Sequence, residues 1–262
     1  MPESISFDHA ADFYDATRAL PGAVAAKLTD ALLAERDAVQ ADSVLEVGAG
    51  TGRISRPLAK RGVRIRGVDI APLMLAKLRE QVGPNDERPD LILADATRLP
   101  FAPDSFRMAL MLHVLHLVSD WRQSIEELVR VLEPRGVFVH IITRYPGDNP
   151  WTVSEALWNE LVEGRDFTPR PRPAPEEIQE ALRSLGGSVR VVEFARLDDR
   201  MTPGKNLEYI RQRIDSWSWQ YPDDLFWQCF AEFEPRYRAH YREMDRELVN
   251  TVIHELEVWS FR

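Results

Sequence analysis

Short apolar segments alternate with helical patterns over the first half of the chain, and this alternation restricts the possible folds more than any other feature. The apolar segments are residues 43–47, 63–70, 89–96, 107–114 and 136–143, and helical patterns between them include 53–61, 72–81 and 124–133. Strands separated by helices form βαβ units, in which the strands are parallel and helices cover both faces of the sheet. The sequence therefore predicts an α/β fold with a doubly wound, mostly parallel sheet.

The second half of the chain has a different pattern. Residues 169–175 (PRPRPAP) are typical of a polyproline spacer, and residues 176–185 predict an amphipathic helix that ends at a pair of glycines. The last two strand candidates are residues 189–197 and 252–261.

The segment between these two strands carries helical periodicity and many aromatic side chains. Because it is too long for a hairpin loop, we expect an inserted helical cap over residues 201–250. Residues 1–200 and 251–262 then form the main domain.

Composition excludes several classes of protein. The chain has 262 residues and a formal net charge of −9, and this acidic surplus repels phosphates and argues against nucleic acid as a partner. The single cysteine, Cys229, excludes an internal disulfide and fits a reducing compartment. No basic leader and no long apolar run is found, so we expect neither a signal peptide nor a membrane span, and a cytoplasmic location. No spacing of His, Cys or acidic residues predicts a metal site.

Three glycines, Gly48, Gly50 and Gly52, directly follow the first strand. Glycine permits a positive φ and has no Cβ, so a ligand can lie against the backbone of such a turn and accept from its N–H groups. The dinucleotide-binding pattern needs glycines at its first, third and sixth positions, and here the sixth position is Arg53. The turn therefore predicts a ligand site but argues against a nicotinamide or flavin cofactor.

Two carboxylates follow neighbouring strand candidates. Asp69 ends the second strand, where a carboxylate can accept from both hydroxyls of a ribose, and Asp95 ends the third strand, where it could accept from an adenine amine. Open α/β sheets bind ligands at the carboxyl ends of their strands, so we expect both acids to lie beside the glycine turn.

Four segments together resemble a known family. They are EVGAGTG (46–52), GVDIAP (67–72), ADATRLPF (94–101) and LHVLHLV (112–118). These segments are similar to those of class I S-adenosylmethionine-dependent methyltransferases, above all the small-molecule enzymes of ubiquinone, menaquinone and biotin synthesis. The resemblance implies a Rossmann-like, seven-stranded sheet with an antiparallel last strand. It also implies S-adenosylmethionine as cofactor, S-adenosylhomocysteine as product, and a small molecule as methyl acceptor.

The resemblance also implies which residues contact the cofactor. Around the methionine moiety and the end of the fourth strand these are Glu46, Gly48, Ala49, Gly50 and Leu112. Around the ribose and adenine they are Asp69, Ile70, Asp95 and Ala96. The N-terminal run FDHAADFYDATR is similar to the YD-x-x-R lead-in of the same family, in which Tyr14 and Arg18 share a helix face and cover the cofactor.

Methyl transfer needs a positioned acceptor, and it needs a general base only when the acceptor is protonated. His113, near the end of the fourth strand candidate, is the predicted base, and His116 is expected in the same pocket. His140 lies within the fifth strand and is expected to be structural.

An aromatic stretch in the predicted cap suggests the kind of acceptor. Trp217, Trp219 and Tyr221 lack helical periodicity, and large rings suit the wall of an apolar pocket. We therefore expect these rings, together with Tyr14 and the two histidines, to contact a largely apolar or aromatic acceptor.

Two other functions remain open at this point. One is a non-catalytic protein that keeps the S-adenosylmethionine pocket and regulates a partner. The other is an NAD-dependent oxidoreductase, which Arg53 disfavours. The sequence leaves the oligomeric state open.

Overall fold

A computed structural model describes residues 4–147, 149–168 and 172–261. Its strands are β1 (Ser43–Val47), β2 (Arg64–Asp69), β3 (Asp90–Leu93), β4 (Phe106–Leu112), β5 (Leu132–Arg144), β6 (Gly187–Met201) and β7 (Leu248–Phe261). Its α-helices are α1 (Tyr14–Arg18), α2 (Gly22–Ala38), α3 (Ser55–Ala59), α4 (Pro72–Gln81), α5 (Trp121–Val131), α6 (Pro150–Val162), α7 (Pro175–Ser184), α8 (Pro203–Arg211) and α9 (Asp223–Tyr241). Two short 3-10 helices span Asp8–Ala10 and Ser216–Gln220.

The strands form one seven-stranded sheet in the order β3-β2-β1-β4-β5-β7-β6. The pairs β1–β2, β2–β3, β1–β4 and β4–β5 are parallel, and the last strands run antiparallel. The predicted doubly wound sheet is thus confirmed. The strand order reverses beside β1, because β2 lies on one side of it and β4 on the other, and ligands bind at such a reversal in open α/β sheets.

Both faces of the sheet are covered, as the continuous apolar run of β4 indicates. Ala109 and Met111 face a cluster that includes side chains of α5 and α7, whereas Met108 and Leu110 face a cluster that includes α2 and α3. All four residues are fully buried. A parallel strand buried on both faces reads as an unbroken hydrophobic segment, which explains why its limits are easy to predict.

Several elements differ from the sequence-based expectation. Helices α2 and α6 were not predicted, and the helix expected over 53–61 spans only Ser55–Ala59. Part of the predicted polyproline spacer, residues 169–171, lies outside the described residues, and α7 follows it from Pro175.

The chain divides into two compact units. The larger comprises Met1–Ile142, Arg172–Ala195 and His254–Arg262, and the smaller comprises Thr143–Pro171 and Arg196–Ile253. The smaller unit thus contains residues 143–171 in addition to the insert expected over 201–250. Helix α6 belongs to it because it packs against α9. Trp158 of α6 is 1% exposed and lies at the centre of this unit's core.

Candidate active site

The glycine turn after β1 is a position where side chains do not fit. Gly48 and Gly52 adopt φ values of 80° and 89°. A Cβ on Gly48 would lie 2.2 Å from Cγ2 of Val114, and one on Gly52 would lie 2.2 Å from Cδ1 of Leu78. Both the backbone conformation and the close packing therefore require glycine here. The contact with Val114 also brings the loop after β4 against the turn.

Asp69, at the end of β2, links the glycine turn to helix α4. Its Oδ2 accepts from the backbone N–H of Gly50 at 2.8 Å, and its Oδ1 accepts from that of Ala71 at 2.9 Å. Burial raises the pKa of Asp69, although these hydrogen bonds oppose the shift. A carboxylate offers about four acceptor positions, so capacity for a ligand diol remains on both oxygens.

Asp95 follows the next strand and is also hydrogen-bonded. Its Oδ1 accepts from the backbone and the hydroxyl of Thr97, both at 2.8 Å. Its Oδ2 accepts from the hydroxyl of Ser4 at 3.0 Å. Ala96 and Ile70, the expected neighbours of an adenine ring, are both half-buried beside these carboxylates.

Glu46 is the most unusual acid of the group. It is 3% exposed, and its Oε2 accepts a hydrogen bond from the hydroxyl of Ser55. Burial, aided by repulsion from Asp69, raises the pKa of Glu46 to about 8. The carboxyl is therefore mostly protonated at neutral pH. Ala49, two residues after β1, packs on Leu75 and Leu78 of α4.

The lead-in segment contacts the glycine turn through Tyr14 and Asp15. The hydroxyl of Tyr14 accepts from Nη2 of Arg53 at 2.5 Å, and the ring of Phe7 packs edge-on against Tyr14. Thr51 donates to Oδ1 of Asp15 at 2.5 Å. These contacts join α1 to the turn that follows β1.

The same segment also contacts the ends of two further strands. The backbone N–H of Ile5 donates to the carbonyl of Leu117 at 2.9 Å, and Ser4 contacts Asp95 as described above. Asp8 accepts from the backbone N–H of Leu73 at 2.9 Å, which caps the first turn of α4. The lead-in segment thus crosses the carboxyl edge of the sheet over the expected cofactor position.

The predicted base, His113, directly follows the half-buried Leu112 at the end of β4. Its φ of 56° lies in the left-handed region, which non-glycine residues rarely adopt. Enclosure by protein, with the cations of Arg53 and Arg172 nearby, lowers the pKa of His113, although the residue remains exposed to solvent. The imidazole is neutral at neutral pH.

His116 has a similar electrostatic environment. Burial lowers its pKa to about 3, and the positive charges of Arg172 and Arg18 act in the same direction. Arg18 of the lead-in helix therefore lies near the loop after β4.

Within the described residues, no group of three His, Cys, Asp or Glu side chains could hold a metal ion.

The three aromatic residues predicted for the acceptor pocket lie in the smaller unit. Trp217 and Tyr221 pack edge-on against Trp158, with ring centroids 5.0 and 5.7 Å away. Nε1 of Trp219 donates to the carbonyl of Arg213 at 2.7 Å. Packing within this unit accounts for the rings of Trp217 and Tyr221, and contact of the three residues with an acceptor stays a prediction.

Sequence reasoning missed several members of the larger unit's site. Ser4, Asp8 and Asp15 are small or acidic residues of the lead-in whose partners lie far away in sequence, so no local spacing identifies them. His140, which is expected to be structural, lies opposite Met111 of β4 and makes a hydrogen bond with Glu257.

The model of one protein family, described as a methyltransferase domain, matches residues 45–140, from β1 into β5. Residues 45–140 are therefore similar to a methyltransferase domain. The resemblance to class I S-adenosylmethionine-dependent methyltransferases is thus confirmed. The glycine turn, Asp69, Asp95, His113 and His140 all fall within the matched residues of this domain.

Curated relatives match over the same region. The biotin biosynthesis bifunctional protein BioHC of Cellvibrio japonicus is 37% identical over 142 residues, which are 54% of this chain and 27% of the relative. A demethylmenaquinone methyltransferase of Clavibacter sepedonicus is 34% identical over 137 residues, 52% of this chain and 56% of the relative. The chain thus spans about a quarter to a half of the length of these relatives.

Among solved structures, the chain is similar to magnesium protoporphyrin IX methyltransferase from Synechocystis PCC 6803, solved with bound S-adenosylhomocysteine. The TM-score is 0.54 at 19% identity, over 72% of this chain and 90% of that chain. At this level of identity the likeness shows the fold alone. No helix among the described residues is both long and apolar enough to cross a membrane.

Proposed function

We propose that this protein binds S-adenosylmethionine and transfers its methyl group to a small-molecule acceptor, with S-adenosylhomocysteine as product. The observation that carries the proposal is the convergence of the glycine turn, Asp69 and Asp95 at adjacent strand ends of a methyltransferase domain. Asp69 offers an acceptor for the diol of a nucleoside, and Asp95 offers an acceptor for its amine.

The residues present fit this cofactor. Gly48 has the positive φ and the close packing that this turn requires, Asp69 keeps free acceptor capacity for the ribose, and Asp95 with Ala96 and Ile70 would take the adenine. Glu46, Gly50 and Ala49 would surround the methionine moiety, and Leu112 would contact it from the end of β4. Tyr14 and Arg18 would cover it from the lead-in segment.

When bound, the cofactor supplies an activated methyl group on a sulfonium. The protein then has to hold the acceptor atom in line with that methyl group and exclude water. The lead-in segment is suited to excluding water, because its hydrogen bonds reach the ends of β1, β3 and β4. Tyr14 and Arg53, joined by a hydrogen bond, would close the methionine side.

The acceptor proposed is small and largely apolar or aromatic. The aromatic residues Trp217, Trp219 and Tyr221 support this class, as do the names of relatives. One of these relatives is named for demethylmenaquinone, an apolar quinone. His113 and His116, neutral at the end of β4, offer imidazole surface to an uncharged acceptor without adding positive charge.

Calorimetry with S-adenosylhomocysteine tests cofactor binding, and Gly62 provides a matched control for Gly48. Both glycines have positive φ (73° and 80°), but a Cβ on Gly62 meets nothing within 4 Å. Gly48→Ala and Gly62→Ala therefore impose similar backbone strain, and only Gly48→Ala adds a clash at the proposed site. We expect Gly48→Ala to abolish binding and Gly62→Ala to keep it. Equal affinity in both folded variants would contradict the site.

Incubation with methyl-labelled S-adenosylmethionine and a cell extract then tests transfer. A labelled small molecule supports the proposed reaction and identifies the acceptor. Tight binding without any labelled product supports the non-catalytic alternative. Thermal stabilisation by NAD and not by S-adenosylhomocysteine supports the oxidoreductase.

A further inference from the structure

Glu257 is a buried carboxylate that the cofactor site does not use. It lies on β7 of the larger unit and is 2% exposed. Its Oε1 accepts from Nε2 of Gln179 on α7 at 2.6 Å, and its Oε2 lies 3.3 Å from Nδ1 of His140 on β5. A buried carboxylate is costly unless it is hydrogen-bonded, and here a histidine and an amide provide the bonds.

His140 lies close to the end of β4. It pairs in register with Met111, two residues before His113, and its positive charge would lower the pKa of His113, so the two imidazoles are neighbours. The ring stacks on Phe138, with centroids 5.9 Å apart. Its Nδ1 faces Glu257, whereas its Nε2 has no hydrogen-bond partner among the described residues.

A general base must become a cation during the reaction, so the charges around it decide its suitability. His113 is near Arg53 and Arg172, and His116 is near Arg172 and Arg18, which disfavours a further positive charge on either ring. His140 instead has a buried carboxylate within hydrogen-bond reach of one ring nitrogen. This arrangement stabilises an imidazolium and fixes the tautomer that leaves Nε2 able to accept a proton.

We propose that His140 is the general base of the transfer, that Glu257 and Gln179 position it, and that the acceptor is a hydroxyl compound such as a phenol or hydroquinone. This inference rests on the proposed function. It replaces His113, which the sequence favoured as the base. His113 and His116 then contribute to the wall of the site rather than to proton transfer.

Atoms and charge are conserved in the proposed methyl transfer. The acceptor oxygen forms a bond to the methyl carbon while the bond from that carbon to sulfur breaks, and the electron pair of the broken bond stays on sulfur. The hydroxyl proton moves to Nε2 of His140. The positive charge thus passes from the sulfonium to an imidazolium beside Glu257. The products are the methyl ether and S-adenosylhomocysteine.

The charged and titratable groups around His140 come from several elements. Glu257 and the amide of Gln179 approach from β7 and α7, and His113 approaches from the loop after β4. Of these, Glu257 is the one carboxylate with a hydrogen-bond contact to the ring among the described residues. Removal of its charge should therefore weaken the base and lower kcat.

The first experiment measures the tautomer of His140 by long-range nitrogen NMR on the full, labelled chain, with His140→Gln to assign the signals. At neutral pH we expect the proton on Nδ1 and none on Nε2. A neutral ring with its proton on Nε2 would overturn the proposal, because Nε2 could then not act as a base. This measurement requires no acceptor.

The second experiment compares variants in transfer from labelled S-adenosylmethionine to a panel of phenols, hydroquinones and amines. We expect His140→Gln to lower kcat about 100-fold or more, within the range for general bases, while KM changes by less than about threefold. The loss should shrink for the most acidic phenols, which ionise without help. Glu257→Gln should lower kcat about tenfold while KM changes by less than about threefold.

His254→Gln is the matched control, because it also replaces a buried histidine by glutamine, on β7 instead of β5. His254 is also buried, but it lies on the opposite face of the strand and packs on Phe194. We expect its kcat to stay within about twofold of the unchanged protein.

The outcomes separate this inference from the proposed function. If S-adenosylhomocysteine binds and phenols are methylated, but His140→Gln matches His254→Gln in kcat, the assignment of the base is wrong and the proposed function stands. If only amines are methylated, the acceptor class is wrong. If S-adenosylhomocysteine does not bind the unchanged protein, the proposed function itself fails.

Discussion

The buried carboxyl of Glu46 should make the cofactor-free protein less stable as pH rises. The pKa of Glu46 is raised from 4.5 to about 8 in the folded chain, mainly by burial. The folded state therefore retains a proton that the unfolded state releases between these two values. Unfolding then releases a proton, so the free energy of unfolding falls as pH rises through this window and levels off above about pH 8.

The size of the effect follows from the two pKa values. One pKa unit corresponds to about 1.4 kcal/mol, so the full shift corresponds to about 5 kcal/mol at high pH. Between about pH 5 and pH 7.5 the expected loss is about 3 kcal/mol. That is a large part of the roughly 5–15 kcal/mol by which folded proteins are usually stable.

Glu46→Gln removes the titration while preserving the shape of the side chain. The amide oxygen can still accept the hydrogen bond from Ser55, so packing around the site should change little. We expect the variant to be more stable than the unchanged protein, by an amount that grows from pH 5 to pH 7.5. Urea unfolding at a series of pH values, without cofactor, measures this difference.

Glu126 of α5 is a suitable control because it is exposed. Glu126→Gln should give an unfolding free energy parallel to that of the unchanged protein at every pH. If Glu46→Gln also runs parallel, or if its advantage falls as pH rises, the reasoning about Glu46 is refuted. The variant should also bind S-adenosylhomocysteine at least about tenfold more weakly at pH 8, since a neutral amide cannot pair with the ammonium of the amino-acid moiety.

Three further predictions concern ligand binding. Asp69→Ala should lose about 1.5–3 kcal/mol of affinity for S-adenosylhomocysteine by calorimetry, the range for charged hydrogen bonds, and an unchanged dissociation constant in the folded variant would contradict its role. Residues 5–20 should exchange amide hydrogens quickly in the free protein and become protected when cofactor is added, whereas equal protection in both states would make the segment part of the core. Trp219→Ala should raise KM for the acceptor and leave cofactor affinity intact. Trp227→Ala is the control, because its ring is 48% exposed, and it should change neither quantity. Equal effects of the two substitutions would count against an acceptor contact of Trp219.

The fold was predictable because its signals are local. Strand β4 reads as an apolar run since it is buried on both faces, and α4 begins at Pro72 after a short loop. Helices α2 and α6 were missed, although α6 contains Trp158, the ring around which the smaller unit packs. Several aromatic residues of 217–241 therefore pack on Trp158, in a helix that the sequence pattern does not predict.

The positions of the residues that are proposed to bind the cofactor were also predictable, because parallel strands bring the residues after their carboxyl ends to one edge. Gly48 and Asp69 directly follow or end a strand and Asp95 lies two residues after β3, so their convergence needs only the strand limits and the order of the sheet. The contacts of Ser4 with Asp95 and of Asp8 with Leu73 could not be predicted in this way. They depend on the path of the lead-in segment across that edge.

The proposal of His140 as the base rests on contacts that the sequence does not reveal. His113 stands at the expected place after β4, whereas His140 lies inside a strand, and position alone therefore favours His113. What distinguishes the two is charge: Arg53 approaches one imidazole and Glu257 the other, and Glu257 is 117 residues away from its partner in sequence. A proton acceptor needs a partner for the positive charge it gains, and β7 supplies that partner only because it inserts beside β5 in the folded sheet.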